Sequence, residues 1–411
     1  MMDRPLRFCM ITTFYPPYNF GGDGIFVQRL SNELAQRGHL VDVIHCIDAY
    51  RLLSKQNPVK TIDDHPNITL HSLKSRFGFL SPLATQQTGY PLFKSARIQQ
   101  ILQKGFDVIH YHNVSLVGGP KILEYGQGLK LYSTHEYWLI CPTHVLFKFN
   151  REPCIQPNCF PCLMMYRRPL QLWRYSGLLT QNIKHVDTFI APSRFCRDVH
   201  HRRGLNAPIV HLPNFIPSNE NSISNSAPPI NATGDGPYFL FVGRLEKLKG
   251  VQTIIQVFRR YRQAKLLIVG SGSYEAHLRK LVLECSNIRF MGSRYGCKLR
   301  NLYRQALAVI VPTLAFESFG QVIVEAFKQQ TPAIVRDLGG MPEIIAESNG
   351  GFVYNSDDEL VSAMDQLMAN PLERAQMGRN GYQAYQEKYS AEAYFKSYFE
   401  LIGPKVRKVR S

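Results

Sequence analysis

The chain has 411 residues, too many for one ordinary core and suited to two domains of about 200. Hydrophobic residues make up 45% and charged residues 19%, which argues against a disordered chain or a coiled coil. A formal charge of +17 points to anionic partners: a phosphorylated ligand, nucleic acid or an acidic membrane surface.

The first apolar run, Arg7–Ile11, reads as a buried strand. It lacks the longer apolar centre and small-residue cleavage site of a signal peptide, and no stretch reaches the roughly 18–20 apolar residues of a membrane span. With nine cysteines, an odd number, the expectation is reduced thiols in a cytoplasm. After the strand comes Tyr15-Pro16-Pro17-Tyr18-Asn19-Phe20-Gly21-Gly22, then a helical pattern with Val27, Leu30 and Leu34 on one face. Adjacent glycines let backbone N–H groups approach an anion at a helix start, although the spacing is neither G-x-G-x-x-G nor a P-loop and a plain turn remains the alternative.

Further strands are expected at Val41–Ile44, Val108–Tyr111, Lys130–Ser133 and Thr188–Ala191. His110 and His112 end the third of these five runs, and His135 follows the fourth. Histidines at neighbouring strand ends can bond a sugar hydroxyl or stabilise developing charge, where a lone one would be structural. Cys141, Cys154, Cys159 and Cys162 fall in a proline-punctuated loop, 141–162, with spacing close to that of a structural zinc site, His144 being a possible substitute ligand. Four independent reduced thiols are the alternative. Next, Tyr166–Tyr175 mixes aromatic and basic residues, and more basic charge sits at His200-His201-Arg202-Arg203 and in the tail Lys405–Lys408; these are either a face for an anionic leaflet or a solvated basic surface, the tail being read as solvated.

The stretch 213–237 is polar and rich in turn formers, and it divides the chain into a domain at 1–212 and another at 238–390, with a helix and basic tail at 391–411 expected to return to the first domain. The first 210 residues carry +11 and the remainder +6. Beyond the linker, strands are expected at Tyr238–Val242, Leu266–Val269, Ile288–Met291, Val309–Val311, Ala333–Val335 and Gly351–Tyr354, with helical patterns at Val251–Arg262, Tyr274–Cys285 and Gln321–Gln329. Continuous apolar strands separated by helices mean parallel sheets covered on both faces. The fold class is therefore α/β: two doubly wound, Rossmann-like domains with a cleft between them and ligands at the carboxyl ends of strands.

In the second half Gly243 permits a tight exit from the strand, Arg244 offers a planar fork for phosphate and Lys249 a compact charge. Glu317 ends a later loop, Ser318 is expected to cap the following helix, and the N–H groups of Ser318, Phe319 and Gly320 form a cradle for phosphate or hydroxyl. Glu325, between Val324 and Ala326, suits the two hydroxyls of a ribose or a surface ion pair. Ser356 with Asp357-Asp358-Glu359 reads as a capping box without a catalytic role.

Gly243-Arg244 with Lys249-Gly250, Glu317 with Glu325 eight residues on, and Gly339-Gly340-Met341-Pro342-Glu343 resemble the C-terminal half of the family 4 retaining glycosyltransferases. Phe14-Tyr15-Pro16-Pro17 with Gly21-Gly22 and the His-x-His strand end are similar to that family's acceptor domain. The resemblance spans about residues 7–390 and implies a GT-B fold with a nucleotide-diphosphate sugar donor in the interdomain cleft. It further implies that Arg244 and Lys249 hold the diphosphate, Glu325 the ribose, and Glu317 with the three amides the donor sugar and phosphates. Gly21 and Gly22 would close on the phosphates, and His112 would meet the reacting sugar, His110 and His135 being secondary. No Asp-x-Asp pair is present, so catalysis without a metal is expected, with zinc only as a structural possibility. The expected acceptor is a saccharide or a lipid-linked saccharide, in cell-surface glycan assembly at the inner face of the cytoplasmic membrane. Rival readings are a basic nucleic-acid-binding protein, for which no helix-turn-helix or aromatic-basic ladder is present, and a catalytically silent nucleotide-sugar-binding subunit.

Overall fold

The computed structural model describes residues 4–54, 58, 64–218 and 236–410, with side chains described to Val406. Residues 219–235, the centre of the expected linker, lie outside the described residues. Two compact units are formed. The first comprises Met1–Val145, Asn158–Asn214 and Tyr394–Ser411, and the second Leu146–Pro157 and Phe215–Ala393. A stretch of the cysteine-bearing loop thus counts with the second unit.

The strands are β1 (Arg7–Ile11), β2 (Leu40–Cys46), β3 (Ile68–Leu73), β4 (Val108–Tyr111), β5 (Leu129–Ser133), the two-residue pair β6 (Phe147–Lys148) and β7 (Glu152–Pro153), β8 (Thr188–Ala191) and β9 (Ile209–His211). They are followed by β10 (Tyr238–Val242), β11 (Lys265–Val269), β12 (Ile288–Gly292), β13 (Val309–Val311), β14 (Ala333–Arg336) and β15 (Gly351–Tyr354).

The first unit's sheet runs β3-β2-β1-β4-β5-β8-β9, every pair parallel. Its middle strands are buried almost throughout, as continuous apolar runs require when both faces are covered. The helix Gly22–Gln36 buries Phe26, Val27, Leu30 and Leu34, the stripe legible in the sequence. The returning C-terminal segment completes this unit. Tyr394 meets Phe26 edge-on at 5.9 Å, the Arg37 guanidinium lies 4.3 Å from the Phe395 ring centre, and Tyr398 is wholly buried against His110. Each fully buried aromatic stabilises by about 1.5–3 kcal/mol, so these contacts hold the segment firmly.

The second unit's sheet runs β12-β11-β10-β13-β14-β15, again parallel, over a core that includes Phe239, Ile254, Phe258, Leu266 and Ile268. In the first sheet the strand order reverses between β1 and β4, and in the second between β10 and β13. Loops at the carboxyl ends of those pairs diverge, and the crevice left at such a switch point is where open α/β sheets take ligands. Among the described residues no helix is long and apolar enough to cross a membrane.

Candidate active site

In the second unit three loops meet at the carboxyl ends of β10, β13 and β14. The loop after β10 carries Gly243 and Arg244, makes a short helical turn at Lys247–Lys249 and ends at Gly250. Gly250 has φ +75°, and a Cβ there would lie 1.9 Å from the Pro312 carbonyl oxygen, so backbone from the β13 loop occupies the space a side chain would need. Leu314 N donates to Leu248 O at 2.8 Å and Thr313 Oγ1 to the same carbonyl at 3.1 Å, lacing the two loops together. The result sets Lys249 Nζ 2.5 Å from Glu317 Oε1, with both side chains about a quarter exposed. From the third loop Gly340 N donates to Glu317 O at 2.8 Å. Glu317 is therefore held through its backbone by one neighbour and through its carboxylate by another.

Arg244, half exposed, pairs with Glu246 at 2.7 Å. Both expected phosphate cations thus carry a carboxylate neighbour of their own unit. Ser318 does not cap the following helix. That helix is Gln321–Phe327, and its N-cap is Gly320 with φ +113° and no side-chain cap. The loop takes an extra left-handed residue before the helix begins, which moves Ser318 out of capping reach. Phe319 is buried, 5.9 Å from Tyr389, so it can offer a ligand only its backbone. Glu325 is half-buried on the helix, and the Tyr303 hydroxyl donates to its Oε2 at 2.9 Å. Sequence reasoning missed Tyr303: it sits on another helix, Gly296–Gln305, and no spacing rule links the two. Ser356 accepts from Glu359 N at 3.2 Å, and Glu359 Oε2 accepts from Asn355 N at 2.7 Å, the helix cap expected of that stretch.

In the first unit the loop after β1 leads to Gly21, which precedes the helix Gly22–Gln36 in an extended conformation and provides no side-chain cap. Asp23 stands in the first turn, and its Oδ2 accepts from Asn113 Nδ2 at 3.3 Å, tying the helix start to the loop after β4. That loop begins with His112. Its Nδ1 is 2.9 Å from His135 Nε2, and the rings lie nearly parallel. His112 Nε2 is buried and has no hydrogen-bond partner among the described residues.

His110 is different. It is wholly buried, with Nε2 2.9 Å from Ser133 Oγ and Nδ1 3.1 Å from Tyr398 OH, so both ring nitrogens are used inside the fold. Burial and the neighbouring His135 push its pKa down to about 3. Burial, then His110 and His135, hold His112 well below the usual imidazole value. His135 is lowered by burial to about 4, with Asp23 opposing. All three rings are therefore neutral at neutral pH, a state in which each ring has one donor and one acceptor nitrogen.

Among the described residues no group of three or more His, Cys, Asp or Glu side chains is arranged to hold a metal ion. Cys141 Sγ lies 3.2 Å from Thr143 Oγ1, and Cys154 Sγ 3.8 Å from the Gln156 carbonyl, while Cys159 and Cys162 stand on the helix Cys159–Met165. His144 Nδ1 is 2.9 Å from Glu136 Oε2.

Two family models match the chain: Glycosyltransferase Family 4 over residues 20–220, and Glycosyl transferases group 1 over residues 223–384. An uncharacterised glycosyltransferase of Methanocaldococcus jannaschii is 24% identical over 417 residues, covering 94% of this chain and 95% of the relative. A GDP-mannose-dependent mannosyltransferase of Corynebacterium glutamicum is 31% identical over 196 residues, 43% of this chain and 51% of the relative. Among solved structures, sucrose-phosphate synthase of Thermosynechococcus elongatus has a TM-score of 0.73 at 19% identity, covering 98% of this chain and 100% of the other. The HepE protein of Anabaena with UDP and glucose has a TM-score of 0.67 at 16% identity, covering 97% and 100%. These structural likenesses carry the fold. The two family models between them take in most of the residues and meet near the break between the sheets, and on that footing the chain belongs to the family 4 glycosyltransferases of GT-B fold.

Proposed function

We propose that this glycosyltransferase moves a sugar, with retention of anomeric configuration and without a catalytic metal, from a nucleoside-diphosphate sugar to a saccharide or lipid-linked acceptor in cell-surface glycan assembly. The observation that carries the reading is the meeting of three loops on Glu317 and Lys249 at the second sheet's switch point, with the Ser318–Gly320 backbone alongside. Relatives support a nucleotide donor. The Anabaena protein is crystallised with UDP and UDP-glucose, and the Corynebacterium relative uses GDP-mannose. A lipopolysaccharide core glycosyltransferase of Rhizobium meliloti, 24% identical over 181 residues, supports the setting.

In this reading the bond between the anomeric carbon and the diphosphate oxygen breaks while the acceptor oxygen bonds on the same face. The acceptor proton passes to the leaving phosphate. Charge gathers on the diphosphate, where Lys249 and Arg244 stabilise it. Glu325, oriented by Tyr303, accepts the ribose hydroxyls, and Glu317 with the three amides meets the donor sugar and phosphates. Gly21 and Gly22 approach the phosphates, and neutral His112 offers Nε2 to the reacting sugar.

The test is a thermal-shift panel of UDP, GDP, ADP and their sugars on the wild type and on Glu325→Ala. Ligand at about 100 times its Kd adds roughly 2.7 kcal/mol, a visible shift. One base series should stabilise the wild type and not the variant; a chain that responds to none refutes the donor. Anomeric coupling constants of the product by NMR decide stereochemistry, and an inverted product refutes retention.

A further inference from the structure

The carboxyl edge of the first sheet has a second feature, away from His112. β2 ends at Cys46 and runs into the helix Ile47–Leu53, while β3 ends at Leu73 and continues as Lys74-Ser75-Arg76. Between these strand ends opens a cavity of about 410 Å³, whose lining includes Arg51, Lys74, Arg76, Asp48 and Phe79. Three cations face it against one carboxylate. That carboxylate, Asp48, is buried and already accepts from Ser75 N at 2.6 Å, so it serves to tie the two loops together. The cations are exposed at the rim. A concave site of this size with a cationic excess selects an anion that can accept several hydrogen bonds at once, which is the character of phosphate.

The chain then changes character at once. Phe77 meets Phe93 at a tilt of 37° with ring centres 4.4 Å apart, the Arg76 guanidinium lies 5.1 Å from the Phe77 ring, and Phe79, Leu80 and Phe93 are 60%, 46% and 48% exposed. A contiguous apolar surface beside a cationic cavity is costly to leave in water and marks a binding face. The two halves together describe an amphiphile, an anionic head joined to an apolar tail.

We infer that this place receives a phosphate-bearing lipid of an anionic bilayer, its phosphate on Arg51, Lys74 and Arg76 and its chain along Phe77, Phe79, Leu80 and Phe93. The inference rests on the reading above that the first unit takes the acceptor. It sets the bilayer lipid's anionic group at the ends of β2 and β3, on the same sheet edge as the glycine loop, so that the acceptor is met at a membrane surface.

The experiment is flotation of the full chain with phosphatidylcholine vesicles, with and without phosphatidylglycerol. Binding should require the anionic lipid. The triple variant Arg51→Ala, Lys74→Ala, Arg76→Ala should partition roughly a hundredfold less, from three cations each attracted to the anionic surface. The variant Phe79→Ser, Leu80→Ser, Phe93→Ser should lose flotation while sodium pyrophosphate, added to the chain already saturated with its nucleotide, still gives a thermal shift that the triple cation variant lacks. If that cation-dependent pyrophosphate shift is seen and no vesicle is bound, the site is for a free phosphate and the lipid assignment falls. Equal flotation of the triple variant and the wild type overturns the inference too. The substituted side chains are exposed, and a wild-type nucleotide shift retained in both variants certifies their folding. If the wild type itself shows no nucleotide shift, it is the donor reading that has failed.

Discussion

Glu317→Gln is a sensitive probe of the donor site because it changes charge at the meeting point of three loops and leaves shape alone. In the wild type the Glu317 carboxylate sits 2.5 Å from Lys249 Nζ, with side-chain exposures of 22% and 25%. A partly exposed pair of this kind is worth about 1 kcal/mol at most. When a nucleoside diphosphate arrives, Lys249 must share its charge between Glu317 and a phosphate, and Glu317 also repels the incoming anion. Neutralising it releases the lysine, so the free nucleoside diphosphate should bind about fivefold tighter, the equivalent of roughly 1 kcal/mol. Sugar transfer should fall if, as proposed, Glu317 also meets the donor sugar. Titration calorimetry with the diphosphate that scores in the thermal-shift panel measures the first effect. A double-mutant cycle with Lys249→Ala separates the lysine's share. Unchanged or weaker binding by Glu317→Gln, or strict additivity in the cycle, would refute the idea that the pair holds Lys249 in reserve.

Three further outcomes follow from the geometry. Gly250→Ala must place a Cβ against the Pro312 carbonyl at a left-handed φ, and should destabilise the second unit by about 2–4 kcal/mol in urea titration; an unchanged midpoint would show that the loops are not packed as described. Tyr303→Phe removes the donor to Glu325 and should weaken nucleotide binding about fivefold by calorimetry, whereas unaltered affinity would reduce Tyr303 to a packing residue. His45, His110, His112, His135 and His200 all have pKa values lowered chiefly by burial, so the folded chain keeps them neutral while the unfolded chain protonates near pH 6.5. Stability is then complete above about pH 6.5 and declines as pH falls toward 4, by up to roughly 1.4 kcal/mol per pH unit for each histidine. Melting temperatures that stay flat between pH 7 and pH 5 would contradict this.

Strand positions were legible wherever burial on both faces demands an unbroken apolar run. β1, β10 and β13 fall where the sequence pattern puts them, and so does both sheets' parallel character, whereas the strand order and its switch points come only with the structure. β3 escaped because it is an edge strand whose residues alternate and are largely exposed, leaving Ile-Thr-Leu-His-Ser-Leu without an apolar signature. β9, three residues long and also at an edge, escaped for the same reason. The candidate donor residues were legible as motif positions, yet their partners were not. Lys249 with Glu317 and Glu325 with Tyr303 are pairs separated by 68 and 22 residues, fixed by loop lacing and helix packing that no local pattern encodes. The Ser318 cap failed on one residue of backbone conformation, the left-handed Gly320. His110 and His112 look equivalent in the sequence; Tyr398, 288 residues further along from His110, makes the first an interior residue.

That last contact bears on how the chain is made. The first unit draws Tyr394, Phe395, Tyr398, Ile402 and Val406 from a stretch made only after the strands of the second unit, and all five are buried. Until that stretch has emerged, the surfaces of Phe26, Arg37 and His110 that receive Tyr394, Phe395 and Tyr398 stay open to water and to other chains. The unit whose sheet strands are made before the second unit's can thus finish folding only after them. Premature termination before Tyr394 would leave a complete set of sheet strands with an unsealed apolar groove, a natural substrate for chaperones and proteases.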